Sequence, residues 1–230
     1  RDLHSFPTRR SSDLSLAGTY TVEADFFNVR KKGKCYFEVV LWDPQGKEVD
    51  KVGKWVWFDK RETATQTITS TLPKVQPWDA ETPRLYTLVI RLYNEGMEIE
   101  DIVGTRFGFR SVTMDGNLLV NDKPITFRGV TIKEYPAMES AEGVRSAREM
   151  LVRMKRHNIN SIRTCSVDPA PEQFLDLCDE LGFYVVADAN LFPASSMGQA
   201  VATDIEYSDL FNARMRSLYG RNKNHTSIVA

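Results

Sequence analysis

The 230 residues carry 30 Lys and Arg against 31 Asp and Glu, a formal net charge of -1, and 42% of them are hydrophobic. Such a composition is that of a globular chain; it excludes a disordered or fibrous polymer and a basic field suited to nucleic acid as the main partner. No apolar run approaches the ~20 residues that cross a bilayer as a helix, and Cys35, Cys165 and Cys178 are too widely spaced for a disulfide framework or a zinc knuckle.

The first fourteen residues, RDLHSFPTRRSSDL, show neither a helical nor a strand period. His4 to Leu14 resembles the in-frame translation of a sequencing-library adapter. Residues 1–14 are therefore set aside as a foreign tail, and His4 and the Arg9–Arg10 pair carry no functional weight. The native N-terminus is expected to be missing, so localisation stays open.

From Gly18 the hydrophobic period is two. GTYTVEADF and CYFEVVLW alternate apolar with polar residues, with DPQG (Asp43 to Gly46) as the turn signal after them. KWVWF, TATQTITSTL, LYTLVIRLY and EIEDIVGTRFGF follow at roughly ten-residue spacing, which predicts an antiparallel sandwich of about seven strands. Trp42, Trp55, Trp57 and Trp78 all fall in this half. Core packing is the expectation for strand tryptophans, although an exposed ring there could stack on sugar.

Near Val112 the texture changes. PITFRGVTI, Pro124 to Ile132, predicts a strand. SAEGVRSAREMLVRMKRHN then places Val144, Ala147, Met150, Leu151 and Met154 on one helical face. SIRTCSV predicts a strand, PEQFLDLCDELG a helix ending at Gly182, FYVVADAN a strand, residues 207–221 a helix, and HTSIVA the start of a further strand. Strand and helix alternating through short connections make parallel strands in an α/β layer. Half of an eight-fold barrel fits better than a doubly wound sheet, but periodicity alone does not separate them. No Gly-rich phosphate loop opens any of these helices.

Five segments in register carry a family likeness: PWDAETPRLYTL, then GTRFGFRSVTMDGNLLVNDKPITFRGV from Gly104 to Val130, then LVRMKRHNINSIRT, FLDLCDELGFYVVADAN and RNKNHTS. Together they resemble glycoside hydrolase family 2 over residues 17–230, its β-galactosidase subgroup ahead of its β-glucuronidase and β-mannosidase subgroups. The resemblance implies a multidomain chain: an immunoglobulin-like antiparallel β-sandwich over 15–111, then the N-terminal half of a (β/α)8 TIM barrel over 112–230. It also implies retaining hydrolysis of a β-galactoside by two glutamates, a proton donor and a nucleophile ~5–5.5 Å apart. The family's acid/base glutamate follows an NHPSI-like run, matched here by Asn224, His225, Thr226, Ser227 and Ile228. Both glutamates are thus expected beyond Ala230, and these residues alone are expected to be inactive.

What the likeness leaves on the chain is substrate-binding. Arg163 ends the second barrel strand, where the family keeps an arginine beside the catalytic carboxylates; a rim salt bridge is the alternative. Asp188 and Asn190 end the third strand in ADAN, where the family usually shows DEAN, and either lines the site or makes a structural hydrogen bond. Lys133 stands where a sugar-facing histidine is expected. It either donates to a hydroxyl or snorkels at the rim. Cys165, Ser166, Val167 and Asp168 replace a run with a second histidine. Phe192 and Ala194 stand where the β-galactosidases hold magnesium, and neither can bind a hard cation. No metal and no other cofactor is expected.

His157 is read as a helix cap or packing residue, His225 as packing, and Cys165 and Cys178 as small buried hydrophobes. The expected partner is a carbohydrate substrate, with no nucleic acid and no membrane; whether the parent is a homo-oligomer stays open. A divergent relative that binds carbohydrate or a protein without hydrolysis is the rival function, and a purely structural spacer role for the sandwich is the third.

Overall fold

The computed structural model describes residues 3–8, 17–27, 32–59, 63–165, 169–189 and 208–230, with the backbone alone for 3–8. The chain divides into two units, residues 1–124 and 125–230.

In the first unit the described residues between 3 and 107 supply seven strands in order: β1 (Leu3–Thr8), β2 (Gly18–Phe27), β3 (Gly33–Trp42), β4 (Glu48–Phe58), β5 (Thr63–Leu72), β6 (Tyr86–Tyr93) and β7 (Ile99–Phe107). They form two sheets, β1-β2-β5 and β4-β3-β6-β7, paired antiparallel throughout. Alternation sends Tyr20 and Val22 of β2, Ile68 of β5, Phe37 and Leu41 of β3 and Leu88 of β6 into one shared core. Each such side chain contributes about 1.5–3 kcal/mol by leaving water. The DPQG turn forms as expected: Gly46 donates to the Asp43 carbonyl at 2.9 Å with φ at 80°, a value that suits glycine.

Two expectations are corrected here. The tail expected to have no strand period supplies β1, which pairs along β2 from Leu3 opposite Ala24 to Thr8 opposite Thr19. The bare edge of β2 offers backbone groups that any extended segment can meet, whatever its pattern, and Pro7 is tolerated because β1 is an edge strand. The tryptophans also divide. Trp78 is fully buried, whereas Trp55 and Trp57 are exposed, at 43% and 67%. In β4 the inward positions belong to Val56 and Phe58, so alternation turns both indoles outward, where the Lys34 ammonium lies over the two rings at 4.7 and 5.4 Å.

On the same outer face Glu38, a buried carboxylate, is held by Lys51 at 3.0 Å, Arg91 at 3.4 Å and the Tyr93 hydroxyl at 3.1 Å. Burial pushes its pKa up, but these donors outweigh it and leave the net shift downward.

The joint is a small meander, β8 (Val112–Asp115), β9 (Asn117–Val120) and β10 (Lys123–Pro124), in the order β10-β9-β8. The strand expected over Pro124–Ile132 narrows to β11 (Gly129–Ile132). The Asn160 side chain takes backbone groups that a sheet partner would meet, accepting from the Arg128 N–H at 2.8 Å and donating to the Thr126 carbonyl at 2.9 Å.

The second unit sets β11, β12 (Ser161–Thr164) and β13 (Tyr184–Ala187) side by side, parallel and in chain order. Residues 227–230 extend the order beside β13: Val185 donates to the Ser227 carbonyl, Val229 to the Val185 carbonyl and Ala187 to the Ala230 carbonyl, at 2.8–2.9 Å. Among the described residues no sheet closes on itself. Helix α1 (Ala141–Arg156) starts at Ser140, whose hydroxyl accepts from the Gly143 N–H at 3.0 Å, and has His157 at its C-cap. Helix α2 (Glu172–Leu181) ends at Gly182, left-handed with φ at 76°, as the sequence suggests. Helix α3 (Ser208–Asn222) is within a residue of its expected span. Ala147 and Leu151 of α1 and Phe174, Leu175 and Cys178 of α2 share a core with Ile132, Ile162 and Val185. Helices α1 and α2 therefore cover one face of the parallel sheet, and Thr131, Arg163 and Val186 belong to the other.

Candidate functional site

The chemistry-bearing residues gather where the parallel strands end. Arg163 is the third residue of β12, in register with Thr131 and Val186 on the face turned from the helices. Asp188 follows β13 directly, and its N–H donates to the Thr164 hydroxyl at 3.0 Å, which carries the turn tightly over the end of β12. Across this turn the Arg163 Nη2 donates to the Asp188 Oδ2 at 2.8 Å. The carboxylate is the more enclosed partner, with 12% of its side chain exposed against 46% for the arginine. Two of the expected site residues are thus brought into direct contact.

Lys133 follows the last residue of β11 and is exposed at the same C-terminal side of the sheet. Asn190 lies outside the described residues, as do Ser166, Val167, Asp168, Phe192 and Ala194. Cys165 continues β12, its N–H donating to the Ile132 carbonyl at 2.9 Å. Tyr135 packs its ring edge-on against Phe174 at 4.9 Å and sits against the helix-covered core. Burial lifts its phenol to about 12. Cys178 is a fully buried thiol pushed well above its ordinary range by that burial.

Packing was the expectation for His225, and the structure gives it a charged partner that sequence reasoning missed. His225 Nδ1 lies 2.8 Å from the Asp179 Oδ2, and the Asp179 Oδ1 accepts the Ser227 N–H at 2.6 Å. Both residues are buried. Burial pulls the His225 pKa down, but the hydrogen bond and charge of Asp179, with Asp176 and Glu172 behind, outweigh it and hold the pKa above the ordinary 6.5. A signal existed: Asp179 lies on the apolar stripe of FLDLCDELG, beside Leu175 and Cys178, where a carboxylate demands compensation. Among the described residues Asp176, Asp179 and His225 bring possible ligand atoms within 4.8 Å of one another. Both carboxylate oxygens of Asp179 already accept protein hydrogen bonds, so the cluster reads as an ion pair with a backbone clasp.

The family model described as glycosyl hydrolases family 2 matches residues 8–110, and that for the family 2 TIM barrel domain matches residues 112–230. The chain belongs to glycoside hydrolase family 2. This family 2 chain is 35% identical to a β-galactosidase of Pseudoalteromonas haloplanktis over 94% of its length, and 37% identical to one of Arthrobacter sp. (strain B7) over 95%. It spans 20% of the length of each of those two relatives. In fold it is similar to β-glucuronidase 2 of Bacteroides uniformis, with a TM-score of 0.80 at 22% identity, covering 99% of this chain and 27% of that one. A family 2 member of Bacteroides cellulosilyticus matches with a TM-score of 0.78 at 20% identity, covering 97% of this chain and 30% of that one. The family 2 chain is thereby a sandwich domain followed by the start of a TIM barrel domain, of β-galactosidase-like kind.

Proposed function

We propose that these residues belong to a retaining glycosidase that removes terminal β-galactosides by double displacement. In this proposal residues 15–111 form an immunoglobulin-like sandwich and 112–230 the N-terminal half of a (β/α)8 barrel. Residues 1–14 are foreign, and the acid/base and nucleophile glutamates are supplied by the parent beyond Ala230. The observation that carries it is the Arg163–Asp188 pair at the C-terminal ends of neighbouring parallel strands, the side on which barrel enzymes build their clefts.

The chemistry follows from that pair. A glutamate must stay ionised to attack the anomeric carbon, and a guanidinium beside it favours the charged form. Asp188 takes one N–H of Arg163 and fixes the plane of the fork. A guanidinium oriented in this way serves a catalytic carboxylate. Lys133 and Asn190 are assigned to sugar hydroxyls. Carbohydrate is the only partner the mechanism needs, and no metal or cofactor has a part in it.

Lys133 in a histidine's place favours a second reading, a relative that binds carbohydrate without cleaving it. Likeness in fold to β-glucuronidases makes glucuronide the first competing sugar, with mannoside next. Steady-state assays of the full-length parent on p-nitrophenyl β-galactoside, β-glucuronide and β-mannoside separate these. Turnover of the galactoside at least tenfold above the others is expected, and binding of galactose with no turnover overturns hydrolysis. The 230-residue chain is expected to turn over none of them.

A further inference from the structure

The Asp179–His225 pair lies at the other end of the parallel sheet from Arg163. Helix α2 runs back antiparallel to the strands, so Asp179, near its C-terminus, sits where the next strand begins. A carboxylate is unfavourable there, against the negative end of the helix dipole, and burial adds to the cost. Two contacts offset this. One oxygen receives His225 Nδ1, and the other receives the N–H of Ser227.

Ser227 is also where the ladder to β13 starts: its carbonyl accepts from Val185, and the next bonds join Val229 to Val185 and Ala187 to Ala230. Ile228 bridges in parallel with Val185 and packs against the helix-side core, so Val229 belongs to the opposite face. A slip of one residue would exchange those faces along the whole strand and move each side chain by about 3.3 Å. Among the groups acting on His225, the carboxylates of Asp179, Asp176 and Glu172 all come from α2. One helix therefore holds the start of this strand.

We propose that Asp179 and His225 are positioning residues: clasping Ser227, they set the register of the fourth parallel strand and so the height and direction of the acid/base glutamate at its far end. The proposal rests on the hydrolase function above. Neither side chain touches substrate; both act through the backbone of residues 227–230.

In the full-length parent, Asp179→Ala is expected to lower kcat on p-nitrophenyl β-galactoside about a hundredfold, the scale of a 1 Å misplacement. KM should stay within about twofold, and the alkaline limb of the kcat/KM profile should move, since that limb reports the proton donor. Asp179→Asn, which keeps an oxygen for the Ser227 N–H, should recover most of kcat. Should Asp179→Ala not fold, His225→Gln is read in its place for the same split between kcat and KM. Wild-type kcat with an unmoved limb in Asp179→Ala, or no recovery in Asp179→Asn, overturns the proposal. Amide exchange on the full-length parent tests the clasp separately. Protection of Val185 and Val229 should fall at least tenfold in Asp179→Ala and hold in Asp179→Asn, and unchanged protection overturns it. An inert wild-type parent would count against the hydrolase function and leave the exchange result to decide the clasp.

Discussion

Arg163 and Asp188 stand 25 residues apart in sequence and meet at 2.8 Å, because parallel strands place their C-terminal ends side by side. The geometry is asymmetric: an enclosed carboxylate orients a half-exposed guanidinium. A lysine offers the charge without the planar fork.

Arg163→Lys in the full-length parent should therefore lower kcat/KM about 10²–10³-fold, the scale of losing one preorganised donor. Asp188→Asn keeps an acceptor and should lose less. Steady-state kinetics of both variants check this, and equal losses would show that the charge of Asp188, beyond its orienting role, matters.

His225 carries a pH dependence whose sign follows from its raised pKa. The fold favours the protonated ring, so the contribution is complete below the unfolded value of about 6.5 and is lost as pH rises through the higher folded value. Melting temperatures of wild type and His225→Gln, taken from about pH 5 to about pH 9, should differ most at the acid end and converge on the alkaline side. A gap that widens with pH would refute the ion pair.

Gly143→Ala should destabilise, although helix propensity alone predicts a gain of about 1 kcal/mol. An added Cβ would collide with the backbone carbonyl of Ala137. That carbonyl also accepts from the Ser140 N–H at 3.0 Å and its hydroxyl at 2.9 Å, so it cannot move without disturbing the N-cap of α1. A net loss of about 1–3 kcal/mol, the usual scale of overpacking, is expected from chemical denaturation.

Expressed separately, residues 15–111 should melt cooperatively, whereas 112–230 should aggregate or stay molten. Among the described residues β11 pairs on one side only, and α3 exposes Leu210, Met215 and Tyr219. Calorimetry with dye binding distinguishes the two behaviours, and a sharp transition for 112–230 would contradict the expectation.

Much of this fold was legible because alternation is local. β2 to β7 follow the period-two runs, and Gly182 marks the end of α2 where a left-handed residue is needed. What stayed hidden depends on neighbours. The outward turn of Trp55 and Trp57 follows from which face of β4 meets the core. In the site, Arg163 and Asp188 are legible from the family resemblance together with their places at strand ends. The bond between Asp179 and His225 spans 46 residues and is not, since periodicity says nothing about which buried charges meet.

The pairing of Leu3–Thr8 with β2 has a practical side. An edge that accepts a segment with no sandwich pattern of its own discriminates by backbone geometry, much as a peptide-receiving groove does in β-augmentation. Such an edge is a natural cut point for a split protein. A sandwich lacking its first strand could be completed by a short peptide added in trans, with tags or labels carried into the fold on that peptide.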